Sequence, residues 1–352
     1  MSFKLNPYVE PDFNQDFLLN APDCKYEECP MDGVAPENYH ALSIYPEYFK
    51  IKGKWVLAVE SRMDTVPVIV SDDKVEILEF RNLKKGDRVV VGRTEDASEG
   101  IYMYTGGFLS DTGSVDTFAF RTGRSRETAY SKDYDELYEI MKMVKSLNEN
   151  ITWVLGPSLV YDEEARESFR ELVKKGYVDA ILTGDSFATF DITKALYPDV
   201  DGDNYLKKSY NAISKIRDAG SIKEAVEKGI LNSGICYEMV KNNKELVIAS
   251  SIRDPYTLPD TIDNVYQAQN KMRTHTRKTG MLICLSTVLH TIASGNMTPS
   301  YNEFDGEIRP VYIYSIDFQE FSVNKLSDRG TLEVKTLVTN VHDFVNHINN
   351  NL

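Results

Sequence analysis

The chain has 352 residues, with 40 Lys plus Arg against 54 Asp plus Glu, a net charge of −14. Such an acid surplus argues against a nucleic-acid binder or a protein held on an anionic membrane, since both need Lys and Arg gathered on one face. Hydrophobic residues at 42% can fill one large core or two ordinary ones. Four cysteines are too few to staple a chain this long, and no apolar leader follows Met1, so the expected setting is the reducing cytoplasm. Cys24 and Cys29 have no second Cys or His pair to complete a zinc site, and no residue is assigned to a metal. The longest apolar run, residues 281–293, carries Ser286, Thr287 and His290 and falls short of the ~20 residues that cross a bilayer.

Residues 1–38 are acidic and broken by prolines, and read as irregular chain wrapping a neighbour. Short β-branched runs follow at 54–59, 66–70, 75–80 and 88–91, separated by turn formers such as Lys85-Gly86-Asp87. This predicts a β-rich domain over 39–130. Near Ser131 the period changes: Leu137, Ile140, Met141, Val144 and Leu147 fall at helical spacing. From there apolar runs at 151–155, 178–182, 246–249, 281–285 and 311–316 alternate with amphipathic segments. Gly176 is placed to end one helix, and Ser221-x-x-Glu224 to cap another. Continuous apolar strands between helices predict an α/β fold, a Rossmann-like parallel sheet over 131–352 preceded by the smaller β-rich domain.

Such sheets bind ligands at the carboxyl ends of their strands. Here those ends read Gly156-Pro157-Ser158, Gly184-Asp185-Ser186, Ser250-Ser251-Ile252-Arg253-Asp254, Ser286-Thr287 leading to His290, and Asp317. Small residues admit a ligand close to backbone, hydroxyls and amides at helix starts suit a phosphate, and a terminal acid suits a ribose diol. Helix caps and turns account for any one of these, but not for Arg253, His290 and Asp317 together. There is no Gly-x-Gly-x-x-Gly, Walker loop, His-Glu-x-x-His or Cys-x-x-Cys. Gly184-Asp185-Ser186-Phe187-Ala188 approaches the hydrolase elbow and offers Ser186 as nucleophile with His290 as base, though Ala188 stands where the last glycine belongs. His290 is suited either to a cofactor or to backbone. His275, His342 and His347 read as solvated.

Longer motifs carry a resemblance. Residues 220–230, Tyr237-Glu238-Met239-Val240-Lys241-Asn242, Ser251-Ile252-Arg253-Asp254 with Leu258-Pro259-Asp260, residues 268–273, residues 289–300 and residues 324–330 resemble the archaeal-type ornithine cyclodeaminases. Their shared region is also known as lysine-oxoglutarate reductase/saccharopine dehydrogenase-associated, and the likeness runs from about Asp32 to His347. It implies a Rossmann-like domain holding NAD, a lyase reaction turning ornithine into proline and ammonia with a recycled hydride, and a homodimer or homotetramer. It implies cofactor contacts from Asp185, Ser186, Thr287, Val288, Leu289, His290 and Asp317. Asp254, Arg253 and Asp185 are the candidates for substrate and proton handling, Arg253 pairing an amino-acid carboxylate or, structurally, a neighbouring acid. The chain departs from the family where Gly-Asn-Ala-Leu-Ala is replaced by 184–188, at Phe190, and over Asp254-Pro255-Tyr256-Thr257-Leu258-Pro259. The departures leave a second expectation, a non-catalytic binding or regulatory subunit, and hydrolysis by Ser186 as a third. Arg121, Arg124 and Arg126 form the one dense basic cluster and either close over an anion or lie in a solvated linker.

Overall fold

The computed structural model describes residues 7–62, 64–108, 130–200, 202–251, 256–327 and 331–352. Arg121, Arg124, Arg126, Arg253 and Asp254 lie outside them. Contacts divide the chain into two units. One is Met1–Ala129 with Pro299–Val311 and Gly330–Glu333; the other is Tyr130–Thr298 with Tyr312–Arg329 and Val334–Leu352.

In the first unit a short helix α1 (Asp16–Leu19) precedes strands β1 (Lys25–Glu28), β2 (Glu47–Ile51), β3 (Lys54–Leu57), β4 (Thr65–Ser71), β5 (Lys74–Glu79), β6 (Arg88–Val91) and β7 (Ile101–Met103). They form a four-stranded sheet ordered β1-β6-β4-β5 and a three-stranded sheet β3-β2-β7. Phe49, Ile69, Ile77, Val90 and Ile101 pack one core of this unit. β1 lies in the segment read as irregular chain: all four of its residues are exposed, so it has no apolar alternation, and pairing with β6 alone makes it a strand. The buried Lys50 ammonium donates to the carbonyls of Leu18, Leu19 and Ala21 at 3.0, 2.9 and 2.8 Å, which replace the water a buried charge has lost.

The second unit begins with α2 (Tyr130–Ser146), then β8 (Asn150–Leu155), α3 (Glu163–Lys174), β9 (Ala180–Gly184), α4 (Asp185–Leu196), α5 (Tyr205–Ala219), α6 (Ile222–Glu227) and α7 (Ile235–Lys241). It continues with β10 (Glu245–Ala249), β11 (Thr261–Ile262), α8 (Val265–Thr276), β12 (Thr279–Leu285) and α9 (Val288–Met297). A hairpin, β13 (Tyr301–Phe304) and β14 (Glu307–Pro310), belongs to the first unit. β15 (Tyr312–Asp317), α10 (Glu320–Ser327), β16 (Glu333–Val338) and α11 (Val341–Asn351) complete the chain.

The large sheet is ordered β11-β10-β9-β8-β12-β15-β16, and the pairs from β11 to β15 are parallel. Leaving out the two-residue β11 and renumbering by first appearance gives 3-2-1-4-5-6, the doubly wound dinucleotide-binding order. All of β12 and β15 is buried, which is why these strands read as unbroken apolar runs rather than alternating ones. At the β8 strand Trp153 donates its indole N–H to the Tyr177 carbonyl at 2.9 Å and meets Phe169 edge-on. Ser221 accepts from the Glu224 amide at 3.0 Å, forming the expected cap of α6.

Candidate active site

The direction of winding reverses between β8 and β12, and in this architecture ligands sit outside the carboxyl ends at that reversal. The two strands end in close contact. The Gly156 amide donates to the Leu285 carbonyl at 2.9 Å, and a Cβ on Gly156 would fall 2.0 Å from the Ser286 carbonyl oxygen. Only glycine fits there. Ser286 itself is left-handed, with φ 50°, and its amide donates to Ile316 at 3.0 Å. The chain therefore turns sharply out of β12 into α9.

Thr287 is the N-cap residue of α9, yet its side chain makes no capping bond. The first amides of the helix point into the strand-end region without a side-chain acceptor, the arrangement that binds anions. One turn on, a Cβ on Gly184 would stand 3.2 Å from His290 Cε1, so the imidazole lies against the end of β9. Neither ring nitrogen has a hydrogen-bond partner among the described residues, and burial alone pushes the His290 pKa down. The ring is neutral at pH 7 and keeps one donor and one acceptor available. Leu289 projects outward, 77% exposed. On the β8 side the Ser158 hydroxyl is buried and unpartnered, and the Ser158 carbonyl binds the ring of His342 at 2.9 Å.

Asp185, the first residue of α4, is wholly buried. One carboxylate oxygen accepts from the Tyr256 amide at 2.9 Å and the Ser251 amide at 3.3 Å, while Oδ1 has no hydrogen-bond partner among the described residues. Burial raises its pKa, and the Ser251 and Tyr256 amides oppose the rise without cancelling it. Ser251 and Tyr256 follow β10, the neighbour of β9 on the side away from β8. The bonded oxygen thus faces away from the β8/β12 reversal, which eases the conflict between an added negative charge and a pyrophosphate. Asp185 also directly follows the second strand of the winding order, the place this fold gives its ribose-binding acid. Asp317 ends the fifth strand, 7% exposed, with one oxygen accepting from the Gln319 amide at 2.9 Å.

Thr287, Val288, Leu289 and His290 come together with Gly184 at the reversal; Asp185 joins the β10 side. Ser186 lies in the first turn of α4 with no hydrogen bond to His290. It is not among the left-handed residues either, so the strained backbone of a nucleophile elbow is missing. Two of the three histidines read as solvated are not: His342 holds Ser158, and His275 is 15% exposed with its pKa lowered by burial. His347 is exposed beside the Tyr134 ring.

The sequence reading missed an aromatic group around Phe190. The rings of Tyr161, Tyr205 and Tyr256 stand 5.7, 5.4 and 5.4 Å from it. Their spacing follows no helical or strand period, since they come from four separate segments.

Comparison with known proteins agrees with this geometry. A family described as "Arginine dihydrolase ArgZ-like, C-terminal, Rossmann fold" matches residues 135–348. An ornithine cyclodeaminase of Methanocaldococcus jannaschii is 35% identical over 331 residues, 89% of this chain and 74% of that protein. The crystal structure of a LOR/SDH protein from Methanococcus maripaludis superposes with a TM-score of 0.78 at 31% identity, covering 95% of this chain and 98% of that one. AgrE in ternary complex with ornithine and NAD+ superposes with a TM-score of 0.58 at 28% identity, covering 95% of this chain and 46% of that one. No helix among the described residues is long and apolar enough to cross a membrane.

Proposed function

The chain belongs to the archaeal-type ornithine cyclodeaminase family, and from that premise we propose that it is an NAD-dependent amino-acid cyclodeaminase. Ornithine, or a related diamino acid, is the proposed substrate, and ammonia a product. What carries the reading is the uncapped start of α9 at the winding reversal, with the unpartnered neutral His290 against Gly184.

The donor set fits a dinucleotide. The first amides of α9 and the Thr287 hydroxyl would hold the pyrophosphate, so an acidic chain can accommodate an anion through backbone N–H groups. His290 would hydrogen-bond the cofactor through whichever ring nitrogen is required. Asp185 Oδ1, buried and unpartnered, would accept from a hydroxyl or an amide. Bound there, NAD would supply a hydride acceptor and donor for the substrate α-carbon.

The protein's own task is then to orient and to move protons. Asp185 ties together the two ends of the segment carrying Arg253 and Asp254. In this proposal Arg253 clamps the substrate carboxylate, and Asp254 takes and returns the proton on the α-amine. Closing the ring with the side-chain amine needs both substrate ends held in one conformer, which is a positioning demand on the chain.

The test is incubation of the purified chain with ornithine and NAD, following ammonia and proline. Product formation supports the proposal; absence of nicotinamide-nucleotide binding at millimolar concentration ends it. Binding without turnover of any diamino acid would favour the binding-subunit alternative. One observation favours that alternative: the Asp185 carboxylate already serves two loop amides.

A further inference from the structure

In the first unit, three side chains from separate segments converge on one point. His40 lies in an extended stretch beside β6, its amide donating to the Val90 carbonyl at 2.9 Å. Glu47 opens β2, and Glu95 sits between β6 and β7, its carbonyl accepting from the Met103 amide at 3.0 Å. One ligand atom from each, an imidazole nitrogen and two carboxylate oxygens, lies within 4.8 Å of the others. His40 Nε2 and Glu47 Oε2 are 2.6 Å apart. We propose that His40, Glu47 and Glu95 bind a divalent first-row transition cation such as zinc or manganese.

Four observations support the site. The ligand spacings of 2.6 Å to at most 4.8 Å bracket the ~3.4 Å edge of a tetrahedron with metal bonds of about 2.1 Å. Side-chain shifts of under about 1 Å would therefore complete the coordination. Glu47 is 0% exposed and His40 4%, so water cannot solvate their charge, and among the described residues no Lys or Arg pairs with Glu47 or Glu95. A dication would balance two carboxylates that otherwise have one imidazole between them. The outer contact is that of a prepared site: the Ser43 amide fixes Glu47 Oε1 at 2.6 Å. Glu95 is only half-buried, which leaves a path for the ion and room for a water as the remaining ligand.

One imidazole and two carboxylates suit zinc or manganese better than copper(I) or an iron–sulfur cluster, which want sulfur. The ligands are far apart in sequence, which is why no motif spacing announces them. The site is independent of the nucleotide reading.

The decisive measurement is calorimetric titration of the chelator-treated full chain with zinc chloride and with manganese chloride. Glu95→Gln is the chosen variant because Glu95 makes no side-chain hydrogen bond among the described residues. Its metal-free melting temperature should match that of the unaltered chain. The expected result is one ion per chain, weakened at least tenfold by Glu95→Gln and by His40→Ala. Cobalt(II) should show visible absorption bands that Glu95→Gln loses. No ion bound, or equal binding by the unaltered chain and Glu95→Gln, overturns the proposal and leaves His40–Glu47 as a structural ion pair. Should His40→Ala fail to fold, Glu95→Gln alone decides.

Discussion

Beyond β9 one oxygen of the buried Asp185 carboxylate is bound to the Ser251 and Tyr256 amides. Beyond β12 the hydroxyl of Thr287 makes no capping bond and His290 has no hydrogen-bond partner among the described residues. Both are strand-to-helix turns on the same edge of one sheet. The difference teaches that a polar group at a strand end is informative through what it is already bonded to. A group satisfied by the protein is organising the chain; a group left unsatisfied is available to a ligand.

Substitutions can break this contrast, and the largest effect is expected at the point joining its two halves. Gly156→Ala drives a Cβ into the Ser286 carbonyl at 2.0 Å, so backbone must move. A loss of about 3 kcal/mol in denaturant stability, together with loss of nucleotide binding, is expected. A variant with unchanged midpoint would show that the two strand ends are not packed as described.

Next comes Asp185→Ala, which strips two backbone amides of their acceptor and should cost about 2 kcal/mol. It should abolish turnover of ornithine more completely than nucleotide binding. The reverse pattern, binding lost and turnover per bound nucleotide kept, would assign Asp185 to the cofactor rather than to the 251–256 segment.

Asp185→Asn sharpens the point through pH. Because burial raises the folded pKa of Asp185, the folded state holds its proton more tightly than the unfolded chain. That contribution is complete below the unfolded value near 3.8 and is lost as pH rises through the folded pKa. Urea midpoints at pH 4 and pH 7 should therefore move in favour of Asp185→Asn at the higher pH. A constant gap would mean that the carboxyl titrates normally.

The smallest effect belongs to His290→Ala. With no hydrogen-bond partner among the described residues to lose, stability should stay within about 0.5 kcal/mol, while NAD affinity falls roughly tenfold in a fluorescence titration. Since burial lowers its pKa, any loss of affinity on protonating His290 should set in below the ordinary imidazole value of 6.5. An inflection near pH 6.5 would contradict the enclosed, neutral ring.

What could be read from the sequence follows from these same physical distinctions. β8, β12 and β15 were legible because burial on both faces leaves an unbroken apolar signature. β1 was not, because Lys25-Tyr26-Glu27-Glu28 is exposed throughout. The β13–β14 hairpin did carry a signal: Asp305-Gly306 is a turn dipeptide, and both residues adopt positive φ, 51° and 83°. Strand order was beyond the sequence, since alternation of strand and helix fits many orders; only pairing shows that Asp185, not Asp317, follows the second strand. The role of Asp185 was equally hidden, because its partners are main-chain amides, which any residue supplies. Family motifs supplied the chemistry, and the structure distinguishes residues that hold the site from residues left free to bind.

The hairpin at 301–310 bears on how the protein is made. Tyr301 donates its hydroxyl to the Ala58 carbonyl at 2.6 Å, and the Ser300 amide reaches the Ser61 carbonyl at 3.0 Å, so the first unit is finished by residues that follow α9. On the ribosome its sheets must wait, with part of their surface uncovered, until β8 to β12 have emerged. A nascent chain halted near residue 130 should remain protease-sensitive and dependent on chaperones, and the two units should reach their final form together.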